Sequence, residues 1–352
     1  MMINMTKKHK TPWLPIILIG VALVASACSS SSPSTSTNQP TAKVSPVKGT
    51  FYELYQSCPS NPFWLAVNNG GRAAAATLGV NLKIEDPLQC TGEIAAENSL
   101  LTTIINSHPA GIAVSVVSTT ALNANIQRAR SMHIPIIAYN SLPHNNNYTT
   151  TPVEAYVGQP NYLAGQDLAT KTISLLGLHS GQSVMIADQC YINVTCTERW
   201  QGIASVLSSK GISVTSSNVL NLDYSVPASA GIVKSYLETH GTPAAVFALG
   251  SAGEQAVVDA AQALHMTSSK LPMVGFDDDP VTNSYMLDGW VKLTVDQQPF
   301  LQGYDALVNL YTAARYDAHP INMSTGPVFV QNTPKDVAKG WLKSSVVTNT
   351  GI

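Results

Sequence analysis

Charge is scarce in this 352-residue chain: Asp, Glu, Lys and Arg make up 11% of it and almost cancel, leaving a formal net charge of −2. No basic cluster occurs after the first ten positions, so the electrostatic footprint of a nucleic-acid binder is absent. Cysteine is sparse too. None of the five is in Cys-x-x-Cys spacing or spaced with histidine as in a zinc module, which removes support for a metal site. The apolar run Leu14 to Val24 is roughly a dozen residues, short of the ~20 a membrane-spanning helix needs. Gly250-Ser251-Ala252-Gly253 lacks the Gly-x-Ser-x-Gly pattern of a nucleophile turn. The nucleophile, base and orienter of a hydrolase cannot be assembled.

What is present begins with an export signal. Lys7, Lys8, His9 and Lys10 precede the apolar run, giving the charged and apolar regions of a cleavable leader. The run ends in Ala25-Ser26-Ala27-Cys28. This resembles the bacterial lipobox, with Ala25 where Leu is usual, and implies lipidation of Cys28 and anchoring to the outer, extracytoplasmic face of the membrane. A plain secretory cleavage after Ala27 is the alternative. Ser29 to Lys48 is rich in Ser, Thr and Pro, has no aromatic residue and cannot bury enough surface to fold, so it reads as a tether.

From about Gly49 onward, short β-branched and aromatic runs alternate with helical patterns. Strands are expected at Thr50 to Gln56, Asn81 to Glu85, Gly111 to Val116 and Ile134 to Asn140. A second series is expected at Ser183 to Asp188, Ser213 to Leu220, Ala244 to Leu249, Met273 to Asp277 and Val291 to Asp296. Helical patterns such as Phe63 to Leu78, Ile94 to Asn106, Tyr162 to Leu176, Glu198 to Ser209 and Ala252 to His265 lie between them. This alternation predicts an α/β protein of two parallel, doubly wound sheets. The segment Ser141 to Thr151 breaks the series, which places a crossover near Val157 to Asn161.

In such sheets ligands sit at the carboxyl ends of the strands. The polar residues there are Ser57, Asn61, Asn140, Ser141, Gln189, Ser251, Asp277 and Gln297. Each alone also suits a turn or helix cap; their joint placement at strand exits points to a site. With Cys28 set aside, four cysteines remain, an even number that favours disulfides in an exported protein. Cys58 and Cys90 follow neighbouring strands, and Cys190 and Cys196 close a small loop, so the expected pairs are Cys58 with Cys90 and Cys190 with Cys196.

The stretch Ser57-Cys58-Pro59-Ser60-Asn61-Pro62-Phe63-Trp64 opens a helix that runs on to Leu78-Gly79-Val80. Ile134-Pro135-Ile136-Ile137 leads to Asn140, Arg199 stands three residues before Gly202, Val274-Gly275-Phe276-Asp277 follows, and Gln297 ends a strand. In this order the motifs resemble the ribose-type periplasmic sugar-binding proteins, of type I periplasmic-binding fold and related to the ligand domain of LacI-type repressors. The resemblance covers about Gly49 to Gln331. It implies two lobes joined by a three-segment hinge, with crossings near Val157 to Asn161, Gln297 to Pro299 and Ser324 to Pro327. The implied organisation is a signal peptide and lipobox at 1–28, a tether at 29–48, one lobe at 49–158 plus 298–325 and the other at 159–297 plus 326–352.

The resemblance also implies roles. Asn61, Arg199, Asp277 and Gln297 match positions that bond ligand hydroxyls, Phe63 and Trp64 match aromatics that sandwich a sugar ring, and Tyr224 resembles a third ring. Two departures stand out: Asn140-Ser141 replaces a common Asp-Arg pair, and Gly250-Ser251 replaces Asn-Asp, which makes ribose itself doubtful. Asp277-Asp278-Asp279 is no cation loop, because adjacent carboxylates point apart. The function implied is the solute-binding component of an ABC importer: a monomer without cofactor, enzymatic activity or nucleic-acid partner, taking a sugar or polyol and docking on a membrane permease. A ligand sensor for a membrane receptor is the alternative, and an exported hydrolase a weaker one. A repressor would need a helix-turn-helix where this chain has its signal.

Overall fold

The computed structural model describes residues 47–56, 62–88, 93–143, 151–223 and 225–339. The expected signal, Cys28, most of the tether, and Cys58 and Cys90 with their pairing lie outside the described residues. The first half of the chain forms β1 (Thr50–Leu54), α1 (Pro62–Leu78), β2 (Asn81–Glu85), α2 (Glu93–Asn106), β3 (Gly111–Val114), α3 (Thr119–Ser131), β4 (Ile136–Tyr139) and β5 (Tyr156–Gly158). Then come α4 (Asn161–Leu176), β6 (Met185–Asp188), α5 (Val194–Ser209), β7 (Val219–Asn221), α6 (Val226–His240), β8 (Val246–Ala248), α7 (Ser251–Ala263), β9 (Met273–Phe276), α8 (Pro280–Leu287) and β10 (Val291–Asp296). The chain finishes with α9 (Pro299–Tyr316), β11 (Met323–Ser324), β12 (Val328–Val330) and α10 (Pro334–Lys339).

The strands build two six-stranded sheets, ordered β11-β5-β4-β3-β1-β2 and β12-β10-β9-β8-β6-β7. Every pairing is parallel except β12 with β10. Every residue of β3, β4, β6, β8 and β9 is buried, as expected of sheets with helices on both faces. Alternation along β1 divides the packing. Phe51 and Tyr55 join Trp64, Leu307 and Leu310 on one face, while Tyr52 and Leu54 join Leu101, Ile105 and Ile126 on the other. In both sheets the strand order reverses beside the first strand, between β1 and β3 and between β6 and β8. Such a reversal leaves a crevice at the carboxyl ends.

The chain passes from sheet to sheet three times: between β5 and α4, between β10 and α9, and between β11 and β12. The last two passages are tied together. Thr325 Oγ1 donates to the Gln297 carbonyl at 2.8 Å, Gln298 Nε2 donates to the Thr325 carbonyl at 2.6 Å, and Gln302 Nε2 reaches the Gln297 carbonyl at 3.1 Å.

The expected strand Ser213 to Leu220 is mostly not one. Ser213 makes a lone bridge to Ser183, a 3-10 turn occupies Ser216–Asn218, and the strand begins only at Val219. Asn218 Oδ1 accepts from both the backbone N–H and the hydroxyl of Thr215, so a local side-chain bond replaces the ladder. Helix α5 starts four residues before the expected Glu198, because Asn193 caps it by accepting from the Thr195 N–H at 2.9 Å.

Candidate functional site

The first sheet supplies the aromatic side of a cleft between the sheets' carboxyl ends. Phe63 and Trp64 lie in the first turn of α1, beyond the end of β1. Trp64 is only 2% exposed. Its ring stacks on Tyr55 at 4.3 Å and 11° and meets Tyr139 edge-on at 6.0 Å, while the Phe63 ring stands perpendicular to it at 5.3 Å. Phe63 is half-buried and Trp64 forms the wall behind it. Asn140 holds a left-handed conformation (φ 60°). Its Nδ2 donates to Gln302 Oε1 at 3.0 Å, and its Oδ1 accepts from Ser141 Oγ at 3.3 Å. Ser141 Oγ also bonds Thr195 Oγ1, which comes from the other lobe, so the two lobes touch beside the cleft.

The second sheet supplies the charges. Arg199 is buried in α5, and its position depends on how closely α4 and α5 approach: a Cβ on Gly202 would lie 2.1 Å from the Tyr162 carbonyl oxygen, and one on Gly165 2.2 Å from that of Arg199. The guanidinium donates from Nε to Asn161 Oδ1 at 3.2 Å and from Nη1 to the Leu249 carbonyl at 2.8 Å, and lies 4.3 Å over the Phe276 ring. Asp277, just past β9, accepts from Gln297 Nε2 at 2.5 Å and from the Ser251 N–H. Thr294 Oγ1 donates to its carbonyl at 2.7 Å. Burial raises the Asp277 carboxyl above the usual aspartate range against the opposing pull of Arg199. Asp188, at the end of β6, is pushed up to about 6, again by burial and against the Cys190 N–H and Arg199.

Asp277, Asp278 and Asp279 do three separate things. Asp277 faces the cleft. Burial and the neighbouring Asp296 push Asp278 up to about 7. Asp279 caps α8, accepting from the N–H groups of Val281 and Thr282, each at 2.9 Å.

Cys190 and Cys196 are joined in a disulfide, the pairing expected from sequence. Its loop carries Cys190, Asn193 and Thr195 to the cleft wall. A Cys190→Ser, Cys196→Ser double variant should therefore lose about 2 kcal/mol of stability, the chain-entropy expectation for so short a loop, and bind ligand more weakly than that loss alone would cause. Chemical denaturation and titration of the same preparation check this; unchanged affinity would separate the loop from the site.

Gln56, Phe63, Trp64 and Asn140 from one lobe and Gln189, Cys190, Asn193, Thr195, Arg199, Leu249 and Asp277 from the other line this cleft with Gln297, enclosing about 50 Å³. Of the residues singled out by sequence, Phe63, Trp64, Asn140, Gln189, Arg199, Asp277 and Gln297 thus come together. Ser141 and Ser251 stand behind that lining, Ser141 bridging the lobes and Ser251 holding Asp277. Ser57, Asn61 and Tyr224 lie outside the described residues. Sequence reasoning missed Gln56, Asn193, Thr195 and Leu249. The available signal was the cap pattern Asn193-Val194-Thr195 between two cysteines.

Two parallel-sheet lobes connected by three segments, with aromatic rings from one facing charged groups from the other across a cleft, define a two-lobed ligand-binding protein. Residues 56–317 match the periplasmic binding protein domain, and the chain belongs to that family, whose members are extracytoplasmic binding proteins. It is 28% identical over 293 residues to the xylose/arabinose-binding protein XylF of Sulfolobus acidocaldarius, covering 78% of this chain and 69% of the relative. A periplasmic sugar-binding protein of an ABC sugar transporter from Legionella pneumophila superposes with a TM-score of 0.70 at 27% identity, covering 79% of this chain and all (100%) of that one. An ABC transporter solute-binding protein from Burkholderia graminis, solved with D-arabinose, shares the fold with a TM-score of 0.75 at 22% identity, over 86% of this chain and 99% of the other.

Proposed function

We propose that this protein captures a small polyhydroxylated ligand, a sugar or polyol, in the cleft between its lobes and delivers it to the permease of an ABC importer. The observation that carries this reading is the opposition of Phe63 and Trp64 on one lobe to Arg199 and Asp277 on the other. A sugar offers C–H faces to aromatic rings and hydroxyls at its edge, so it suits apolar walls combined with a few charge-assisted hydrogen bonds. The sugar-binding relatives support the same class, as the pentoses named for two of them do. The chain is exported and held at the membrane through lipidated Cys28, with 29–48 as tether, and works as a monomer. The lobes, 49–158 plus 298–325 and 159–297 plus 326–352, close about the three crossings, and Asn61 and Tyr224 complete the ligand contacts.

Thermal denaturation against a panel of pentoses, hexoses, polyols and amino acids tests this. A cognate sugar at a hundred times its dissociation constant should add about 2.7 kcal/mol of stability. Stabilisation by amino acids, with none from any sugar or polyol, would overturn the reading.

A further inference from the structure

Just beyond the end of β6, the side chain of Gln189 reaches across to the start of α7. Gln189 is buried at the cleft wall, and its Oε1 accepts from the Gly253 N–H at 2.6 Å. That bond fixes the orientation of the amide: with Oε1 turned to the helix, Nε2 points the other way. Among the described residues Nε2 has no hydrogen-bond partner. It stands where a side chain on residue 250 would begin, since a Cβ there would lie 2.3 Å from Gln189 Nε2 and 3.1 Å from Asp277 Oδ2. Any residue but glycine at 250 would thus drive the amide from its place. The same point is flanked by the amide donor on one side and the Asp277 carboxylate acceptor on the other.

We propose that Gln189 is a specificity-determining donor of the ligand site, made possible by Gly250. Together with Asp277 it selects sugars or polyols that present two adjacent oxygens in one orientation: one accepts from Nε2 and its neighbour donates to the carboxylate. This deepens the sugar-binding reading and rests on it. Epimers that place the second oxygen on the opposite face leave the Asp277 carboxylate without its donor, and those that invert the first leave Nε2 unpaired, the kind of mismatch that polar sites reject most strongly.

The test uses titration calorimetry with D-xylose, L-arabinose, D-ribose and myo-inositol as probes, alongside melting temperatures without ligand. Gln189→Glu keeps the side-chain shape and the bond from Gly253 but replaces the donor by an oxygen. It should weaken binding of the wild type's preferred probe by about tenfold or more and change the order of preference among the four, while the carboxylate it adds beside Asp277 lowers the ligand-free melting temperature without unfolding the protein. Gly250→Ala, which displaces the amide, should change the order in the same way. Wild-type affinities and order in Gln189→Glu would overturn the proposal. So would a uniform loss across all four probes in both variants, the mark of a structural role. A wild type that binds none of the four while amino acids stabilise it refutes the sugar reading itself, and this proposal with it.

Discussion

Asp277→Asn will weaken sugar binding by about ten- to a hundredfold, and Arg199→Ala by at least as much, because charge-assisted hydrogen bonds are worth about 1.5 to 3 kcal/mol each. Asparagine is the better replacement at 277. The residue sits at φ 85°, a conformation that Asn tolerates and Ala does not, so Asp277→Asn removes the charge without straining the turn after β9. Arg199→Ala does more damage. It removes the cation beside Asp277 and Asp188, frees the Leu249 carbonyl and Asn161, and uncovers the Phe276 ring. Arg199→Lys should restore little, since an ammonium cannot make the forked bonds or lie flat on the ring. Isothermal titration with the sugar that most stabilises the wild type measures all three variants. Unchanged affinity in both Asp277→Asn and Arg199→Ala would return these residues to a turn aspartate and a buried structural arginine.

The second large effect falls on stability. Trp64→Ala should cost about 3–5 kcal/mol of folding free energy, the usual penalty for emptying a buried aromatic site, because its ring is packed between Tyr55 and Tyr139. Phe63→Ala should cost far less stability and show its effect mainly as lost affinity, since its half-exposed ring reaches the cleft. Urea denaturation beside titration separates the two. A Trp64→Ala midpoint equal to the wild type's would mean that the stacked wall behind the cleft is not part of the first lobe's core.

Much of the fold was legible because its signals are local. The short segments of β2 and β10 are bounded by turns, and the structure places those strands at the expected residues, Asn81–Glu85 and Val291–Asp296. What could not be read depends on distant partners. β5, β11 and β12 are each three residues or fewer, too short for any periodicity; they are strands only because a neighbouring sheet edge accepts them. The strand expected from Ser213 gave way to a bond between Thr215 and Asn218 that competes with the ladder. In the site, Asp277 and Gln297 stood at strand ends, where topology alone selects them. That Trp64 would stack one face on Tyr55 follows from how α1 folds back on the end of β1, and that Thr195 would meet Ser141 from across the cleft follows from packing between segments far apart in the chain. The absence of a side chain at Gly250 gains meaning only when Gln189 is seen in the space it leaves.

Solution scattering tests the central claim, that one ligand is held by both lobes at once, most directly. The radius of gyration of the exported head, beginning at Gly49, should fall when the sugar that stabilises it most is added to saturation, because closure about the three crossings depends on contacts made to both lobes. The fall should be absent with a sugar that gives no thermal shift, and reduced in Asp277→Asn at the same concentration. A sugar proven by titration to saturate the wild type, yet leaving its radius of gyration and scattering profile unchanged, would contradict binding between closing lobes.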